Sequence, residues 1–223
     1  MSDGPSARGG SPALKDNLVA VISFDVIVNP DVPVRNLSTT DIRRIFGGQV
    51  TDWQQLGGPP LPVRLVSRSA DPGTRDIFSA KLLGHRGEPA YTSHDCATRN
   101  NPDDLVVRCE RDTTDEVVTS VAQVPGAIGY AEAGAARAAR GVRAVTIDGA
   151  SPEQPRYPFT EIGHAYTYGY PAPGSLAASF LDFTLHGAGM SLMAPGGHVP
   201  CYSPAGYLRC GSPPDNSPTG KTG

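Results

Sequence analysis

The chain has 223 residues and a formal net charge of −3 at pH 7. Nucleic acids and anionic membrane surfaces bind basic proteins, so this balance argues against both as partners. The most apolar stretch, Leu18 to Val28, is too short to span a bilayer and contains Asp25. Glycine and proline concentrate at both ends, which predicts disordered tails at residues 1–13 and 211–223 around one folded region, residues 14–210.

Strand and helix signals alternate along the folded region. Leu18–Val28 predicts one or two buried strands, and a helix follows from an N-cap at Ser38 to Phe46. Asp41 stands where a capping box has Glu or Gln. The pattern then predicts a strand at 61–68, a helix at 72–83, a strand at 105–110, a helix at 114–122, a strand and turn at 126–134, strands in VRAVTID and EIGHAYTYGY, and a helix at 175–186. This alternation indicates an α/β sandwich.

The last predicted helix has an apolar side. Leu176, Phe180, Leu181 and Leu185 lie on one side of it at helical spacing. Such a stripe is typical of a helix that packs on a sheet.

The four cysteines form two pairs that are close in sequence, Cys96 with Cys109 and Cys201 with Cys210. Neither pair has the C-x-x-C spacing of zinc or thioredoxin sites, so we expect no metal site. An even number in loops rich in polar turn residues predicts disulfides and an oxidising compartment. Of the three pairings that four cysteines allow, we predict the two local ones. No signal peptide follows Met1, so we expect an upstream segment or a different start site.

The segment VSRSADPGTRDIFSAKLLG is a candidate anion site. A strand end followed by a tight turn and a helix start is where open α/β sheets bind ligands. Gly73 and Thr74 would offer backbone N–H groups at the first helical turn, where the helix dipole favours negative charge. Arg68 can donate two parallel hydrogen bonds to an oxyanion, with Ser67 and Ser69 as accessory donors. This set of donors suits a tetrahedral oxyanion.

The same segment also fits an ordinary helix start. Asp71 is a preferred N-cap residue, and Pro72 suits the first helical position. If the Asp71 carboxylate accepts a first-turn N–H, it occupies the place of the anion. Asp71 could instead accept the proton of a hydrogen phosphate. The sequence leaves the cap and the ligand-binding interpretations open.

Two aromatic residues near this segment have alternative roles. Trp53 in TDWQQLGG is predicted to anchor packing rather than to bind a ligand. Tyr130 in PGAIGY either lines the cleft or belongs to the core.

Four motifs follow the order found in the substrate-binding proteins of phosphate ABC transporters: LSTTDIRRIFGGQVTDWQQLGG, PVRLVSRSADPGTRDIF, VAQVPGAIGYAEAG and YPFTEIGHAYTYGYP with AASFLDFTLHGAGMSLMAPGGHVPC. Over most of residues 18–201 the chain resembles that family, in its actinobacterial, cysteine-containing branch. The resemblance implies a type 2 periplasmic-binding-protein fold with two α/β lobes, crossed at about Val28 and near Tyr157. Residues 29–156 would form lobe two, while 14–28 and 157–210 would form the remnant of an incomplete lobe one.

The resemblance also implies a function. It predicts an extracellular or cell-surface module that binds a tetrahedral oxyanion, phosphate above all, for ABC-type uptake, with the membrane subunits of the transporter as partners. We expect no enzymatic activity and no cofactor, because hydrolase and metalloprotease motifs are missing around the five histidines. In the family an Arg before a Ser-Gly-Thr helix start holds the phosphate. Arg68, Gly73 and Thr74 match that pattern, and Pro72 replaces the serine.

An alternative function remains open. The Pro72 replacement and the lack of a counterpart to the N-terminal stretch of the family both weaken the anion site. The chain would then be a degenerate domain of the same fold with an impaired anion site, used for sensing or protein interaction.

Overall fold

The computed structural model describes residues 2–3, 13–69 and 73–211. Its strands in chain order are β1 (Ser2–Asp3), β2 (Leu14–Val28), β3 (Asn36–Leu37), β4 (Arg64–Arg68), β5 (Val107–Arg111), β6 (Ala127–Glu132), β7 (Arg143–Ile147), β8 (Thr160–Tyr168) and β9 (Val199–Pro200). Its helices are α1 (Thr39–Phe46), α2 (Thr74–Phe78), α3 (Thr114–Gln123), α4 (Ala133–Ala138), α5 (Leu176–Leu185), α6 (Gly189–Met193) and α7 (Pro204–Cys210). A 3-10 helix spans Trp53–Leu56, and a π-helix, Ser79–Leu83, continues α2.

The chain divides into two compact units. Unit 1 comprises Met1–Ile22 and Glu161–Gly223, and unit 2 comprises Ser23–Thr160. The first predicted crossing, at about Val28, falls inside unit 2, which begins at Ser23. β2 is one continuous strand across this boundary, so its sequence shows no break where the unit changes. The second predicted crossing, near Tyr157, also falls inside unit 2.

Unit 2 is built on a mixed six-stranded sheet in the order β3-β7-β2-β6-β4-β5. β4 is parallel to both β5 and β6, whereas β2 runs antiparallel to β6 and β7. The three parallel strands therefore end at the same edge, and α2, α3 and α4 follow β4, β5 and β6 there. This edge is where sheets of this class bind ligands.

Alternation along β6 separates the two faces of this sheet. Ala131 packs in a core cluster with Val117 and Val121 of α3. The neighbouring Tyr130 lies in an aromatic cluster and stacks on Phe78 of α2 with ring centroids 4.0 Å apart. Helix α3 and helix α2 therefore pack against opposite faces of β6.

The turn before β6 requires glycine. Gly126 has φ +76°, and a Cβ there would lie 2.2 Å from the carbonyl oxygen of Pro62. The indole Nε1 of Trp53, which is fully buried, donates to the Gly126 carbonyl at 2.9 Å. Trp53 is thus a packing anchor, as predicted.

Unit 1 contains β1, β8, β9, the first part of β2 and helices α5 to α7. β1 pairs antiparallel with β8, and residues Ala20 and Val21 of β2 pair antiparallel with β9. Val19, Ala20, Ala165 and Leu185 form a core cluster, so α5 packs on the strands through its last turn.

Two expectations for unit 1 need correction. Ser2–Asp3, placed in a disordered tail, are paired with Gly163 and His164 of β8, while the other residues of the predicted tails lie outside the described part except Ala13 and Gly211. The predicted packed side of α5 is also wrong in part, because Leu176 is 87% and Phe180 is 50% exposed. Leu185 alone of the four is buried.

Several predicted elements in unit 2 differ in detail. The helix after Ser38 begins as predicted, but the Asp41 carboxylate accepts from the Ser38 hydroxyl at 2.6 Å, since its side chain is shorter than that of Glu. Residues 133 and 134, the end of the predicted strand and turn at 126–134, begin helix α4, Ala133–Ala138. The predicted helix 72–83 is described from Thr74, and its second half is a π-helix.

Candidate functional site

Arg68 is the last residue of β4, the central strand of the three parallel ones. Its backbone N–H donates to the Tyr130 hydroxyl at 3.1 Å, which fixes the end of the strand to β6. Its guanidinium Nη1 donates to the hydroxyl of Thr114, the first residue of α3, at 3.1 Å. Its Nε is buried without a hydrogen-bond partner in the described part of the chain. A buried donor without an acceptor is costly, so a ligand that accepts from it would stabilise the site.

The next helix begins at Gly73, its N-cap, with φ 129° and ψ −122°, a conformation that only glycine adopts readily. Among the described residues, no side chain caps this helix start. The Gly73 carbonyl accepts the first helical bond from Ile77 at 3.0 Å, so the N–H groups of the first turn have no acceptor inside the helix. Gly73 and Thr74 are both half-buried. Within the described part of the chain, the backbone donors at the start of α2 therefore have no side-chain acceptor.

The other predicted ligand residues either bond to protein groups or lie outside the described residues. Ser67 is fully buried, and its hydroxyl donates to the Glu88 carboxylate. The Ser69 backbone N–H donates to the Arg111 carbonyl at 2.9 Å. Asp71 lies outside the described residues, as does Pro72, so the choice between cap and ligand at Asp71 stays open. The hydrogen bond of the Arg68 guanidinium goes to α3 rather than to the start of α2.

A buried cluster of charges lies beside this segment. Arg75, in the first turn of α2, pairs through Nε with Glu88 at 3.1 Å and through Nη1 with Glu110 at 3.0 Å. Arg108 pairs through Nη2 with Glu88 at 3.2 Å and with Glu110 at 2.7 Å. Two arginines and two glutamates therefore balance each other. Arg68 makes no ion pair among the described residues, and this cluster does not compensate its charge.

Tyr130 belongs to the core rather than to a ligand surface. It is fully buried and stacked on Phe78, and burial together with the charge of Glu88 raises the pKa of its hydroxyl. Its hydroxyl therefore stays protonated while it accepts from the Arg68 backbone. Its function at this edge is to hold β4 in place.

Sequence reasoning missed the side-chain contacts of four residues in this region, Thr114, Arg75, Glu88 and Arg108. Thr114 could have been found, because parallel neighbouring strands bring their following helices to one edge. Glu88 had no such signal, since it lies in the irregular stretch between Gly84 and β5.

Both predicted disulfides are present. Cys96 and Cys109 are joined with a Cα–Cα distance of 5.0 Å, and Cys201 and Cys210 with one of 5.6 Å. The residues that the structure describes contain no cluster of three or more potential metal ligands. In the same described ranges, no helix has the length and apolar character needed to cross a membrane.

Comparison with known proteins assigns this chain to a family. Residues 4–187 match the family described as a PBP superfamily domain. The chain belongs to the PBP superfamily. A curated relative of this PBP superfamily chain, the phosphate-binding protein PstS of Bacillus subtilis, is 34% identical over 77% of the chain and 52% of the relative. PstS of Borreliella burgdorferi is 24% identical over 55% of the chain and 41% of the relative. The chain thus spans about half the length of these relatives.

Solved structures agree with the fold of this PBP superfamily chain. An ABC-type phosphate transport receptor from Vibrio cholerae has a TM-score of 0.65 and 21% identity, over 89% of this chain and 78% of its own. A phosphate ABC transporter substrate-binding protein with bound phosphate from Clostridium perfringens has a TM-score of 0.67 and 24% identity, over 89% and 77%. The predicted periplasmic-binding-protein-like α/β fold is therefore confirmed.

Proposed function

We propose that this chain is a solute-binding domain that binds a tetrahedral oxyanion, inorganic phosphate in the first place, without catalysing a reaction. The observation that carries the proposal is the buried Nε of Arg68, which has no partner in the described chain, at the carboxyl end of the central parallel strand. A monovalent or divalent oxyanion supplies a negative charge that pairs with this guanidinium and an acceptor for its Nε. The Bacillus subtilis relative is named a phosphate-binding protein, which supports phosphate as the ligand.

Each residue has a stated part in this proposal. Arg68 provides the charge, and the N–H groups of Gly73 and Thr74 provide donors where the helix dipole favours an anion. The Thr74 hydroxyl and Ser69 are further donors. Ser67 supports the site indirectly, because its hydroxyl already donates to the Glu88 carboxylate. Asp71 would accept the proton of a hydrogen phosphate or cap α2.

The proposal includes a setting outside the cytoplasm and delivery to the membrane subunits of an ABC transporter. Two disulfides support an oxidising compartment. The Vibrio cholerae structure with the same fold is described as an ABC-type phosphate transport receptor, which supports the transport role.

Thermal unfolding with and without inorganic phosphate tests the proposal. Phosphate at about 100 times its Kd should stabilise the protein by about 2.7 kcal/mol, a rise in Tm of about 5 to 10 °C. Arg68→Gln should abolish this shift. Arg64→Gln is the matched control, because Arg64 begins the same strand and donates to the carbonyls of Ala97 and Pro125. That control should lower Tm but keep the phosphate shift. An unchanged Tm of the parent protein across millimolar phosphate would contradict the proposal.

A second candidate is a protein-interaction or sensory domain with an impaired anion site. The observation that favours it is the distribution of large apolar side chains that are exposed. Among the described residues, unit 1 holds nine of them, whereas unit 2, the larger unit, holds two, Tyr91 and Leu105. Exposed apolar side chains that form a contiguous patch are typical of a surface that another polypeptide covers. The phosphate titration separates the two candidates, since this one predicts no shift.

A further inference from the structure

The Glu88 carboxylate holds three polar side chains from different elements. Its side chain is 4% exposed. It accepts from the Ser67 hydroxyl of β4, from Arg75 Nε of α2 at 3.1 Å and from Arg108 Nη2 of β5 at 3.2 Å. Buried carboxylates are tolerated only when they are paired in this way. Glu88 therefore joins β4, α2 and β5 at the edge of the sheet where the oxyanion is proposed to bind.

The partners of Glu88 flank the two parts of the proposed site. Ser67 directly precedes Arg68, which supplies the charge. Arg75 directly follows Thr74, which supplies donors at the start of α2. Five residues, 69–73, separate these parts in sequence, so local sequence alone does not set their separation. One buried carboxylate bonded to both flanking residues does set it.

We propose that Glu88 is a positioning residue, which holds the Arg68 guanidinium and the first-turn amides of α2 at the spacing that an oxyanion requires. This inference rests on the proposed function. Glu88 itself does not touch the anion. It acts through Ser67 on one side and through Arg75 on the other.

Glu110 provides a matched comparison in the same cluster. It pairs with the same two arginines, at 3.0 Å to Arg75 and 2.7 Å to Arg108. Its side chain is 27% exposed, and in the described chain it makes no hydrogen bond to Ser67. Removing the charge of Glu110 therefore leaves β4 connected to α2 through Glu88. Removing the charge of Glu88 breaks that connection.

Charge and geometry predict opposite results for Glu88→Gln. If Glu88 contributed only its negative charge, its removal would raise the affinity for an anion, because a nearby repulsion disappears. If Glu88 positions the site, affinity falls despite that gain, because Gln cannot pair with Arg75 and Arg108 as a carboxylate does. The sign of the change thus separates a positioning role from a purely electrostatic one.

The experiment is calorimetric titration of inorganic phosphate into the full chain, well below its Tm. Glu88→Gln should weaken phosphate binding by at least about tenfold, and Ser67→Ala, which changes no charge, should weaken it about threefold or more. Glu110→Gln should bind phosphate as tightly as the parent or more tightly.

Each outcome decides a point. Binding by Glu88→Gln as tight as that of the parent would overturn the positioning role while leaving phosphate binding intact. If Glu88→Gln fails to fold, Ser67→Ala takes its place, and parent-like affinity of that variant overturns the role. Absence of binding by the parent protein contradicts the proposed function and this inference together.

Discussion

Asp25 on β2 has a buried carboxyl group, and the residue is 2% exposed. Burial raises the pKa of Asp25 from 3.8 to about 6, while Arg137 lowers it and Glu153 raises it. The Tyr157 hydroxyl lies 3.4 Å from its Oδ1 and donates mainly to the Phe24 carbonyl at 2.8 Å. The folded protein therefore binds a proton more tightly at Asp25 than the unfolded chain does. Its free energy of unfolding falls as pH rises from about 4 to about 6 through this group.

Asp25→Asn should remove the loss of stability that ionisation of the buried Asp25 carboxyl causes. Near pH 4 and below, the carboxyl is protonated in the folded state, so the variant and the parent should have similar stability. Above pH 7 the variant should be more stable by about 2 to 3 kcal/mol, since each unit of pKa shift corresponds to 1.36 kcal/mol. Urea denaturation at a series of pH values measures the difference.

Asp95→Asn is the control, because its effect on the free energy of unfolding should have the opposite sign. Hydrogen bonds from the backbone and hydroxyl of Thr98 and from the backbone of Ala97 lower the pKa of Asp95. This variant should be less stable than the parent at pH 7, with the difference shrinking at low pH. A gain for Asp25→Asn that is the same at every pH would count against the burial argument.

Residue patterns predicted part of the structure around the candidate site and could not predict the rest. The strand that ends at Arg68 and the helix start at Gly73 were visible because each has a local signal. The direction of the Arg68 side chain was not, because it depends on which helix covers that face of β4. Glu88 was invisible for a similar reason, since its partners lie 21, 13 and 20 positions away and only the folded sheet brings them together.

Helix α5 is apolar on more than one side. Leu185 is 5% exposed and packs on the strands of unit 1, whereas Leu176, on the first turn, is 87% exposed. Phe180 and Phe183 are also exposed, at 50% and 44%. A helix that is apolar all round is normally buried on both sides. Sequence periodicity therefore predicted the helix correctly but could not tell which of its apolar sides the strands cover.

Two leucines of this one helix give a matched test. Leu185→Ala should lower the free energy of unfolding by about 2 to 5 kcal/mol, because it removes buried methyl groups and leaves a cavity. Leu176→Ala should change it by less than about 0.5 kcal/mol, because that side chain has little packing to lose. Guanidinium denaturation of both variants measures the difference. A loss at Leu176 as large as that at Leu185 would mean that the first turn of α5 is covered in solution.

The division into two units was visible in the order of the motifs, which are spread along most of the chain. The boundary between the units was less visible, because one continuous strand, β2, carries the chain from unit 1 into unit 2. Residues 18–28 of this strand are nearly all buried and mostly apolar, so its composition does not mark the change of unit. Long-range architecture was thus predicted from motif order, whereas the crossing point required coordinates.

Each disulfide lies within one unit, so each should protect that unit alone. Cys96–Cys109 closes a loop in unit 2, and Cys201–Cys210 closes one in unit 1, with sequence separations of 13 and 9. Loops of this length correspond to about 3 kcal/mol of stabilisation each in the chain-entropy description. Replacing Cys96 and Cys109 by serine should speed hydrogen exchange in the peptides of unit 2, whereas replacing Cys201 and Cys210 should speed it in those of unit 1. Mass spectrometry of both double variants measures this. Equal acceleration in both units by either variant would show that they unfold as one cooperative body.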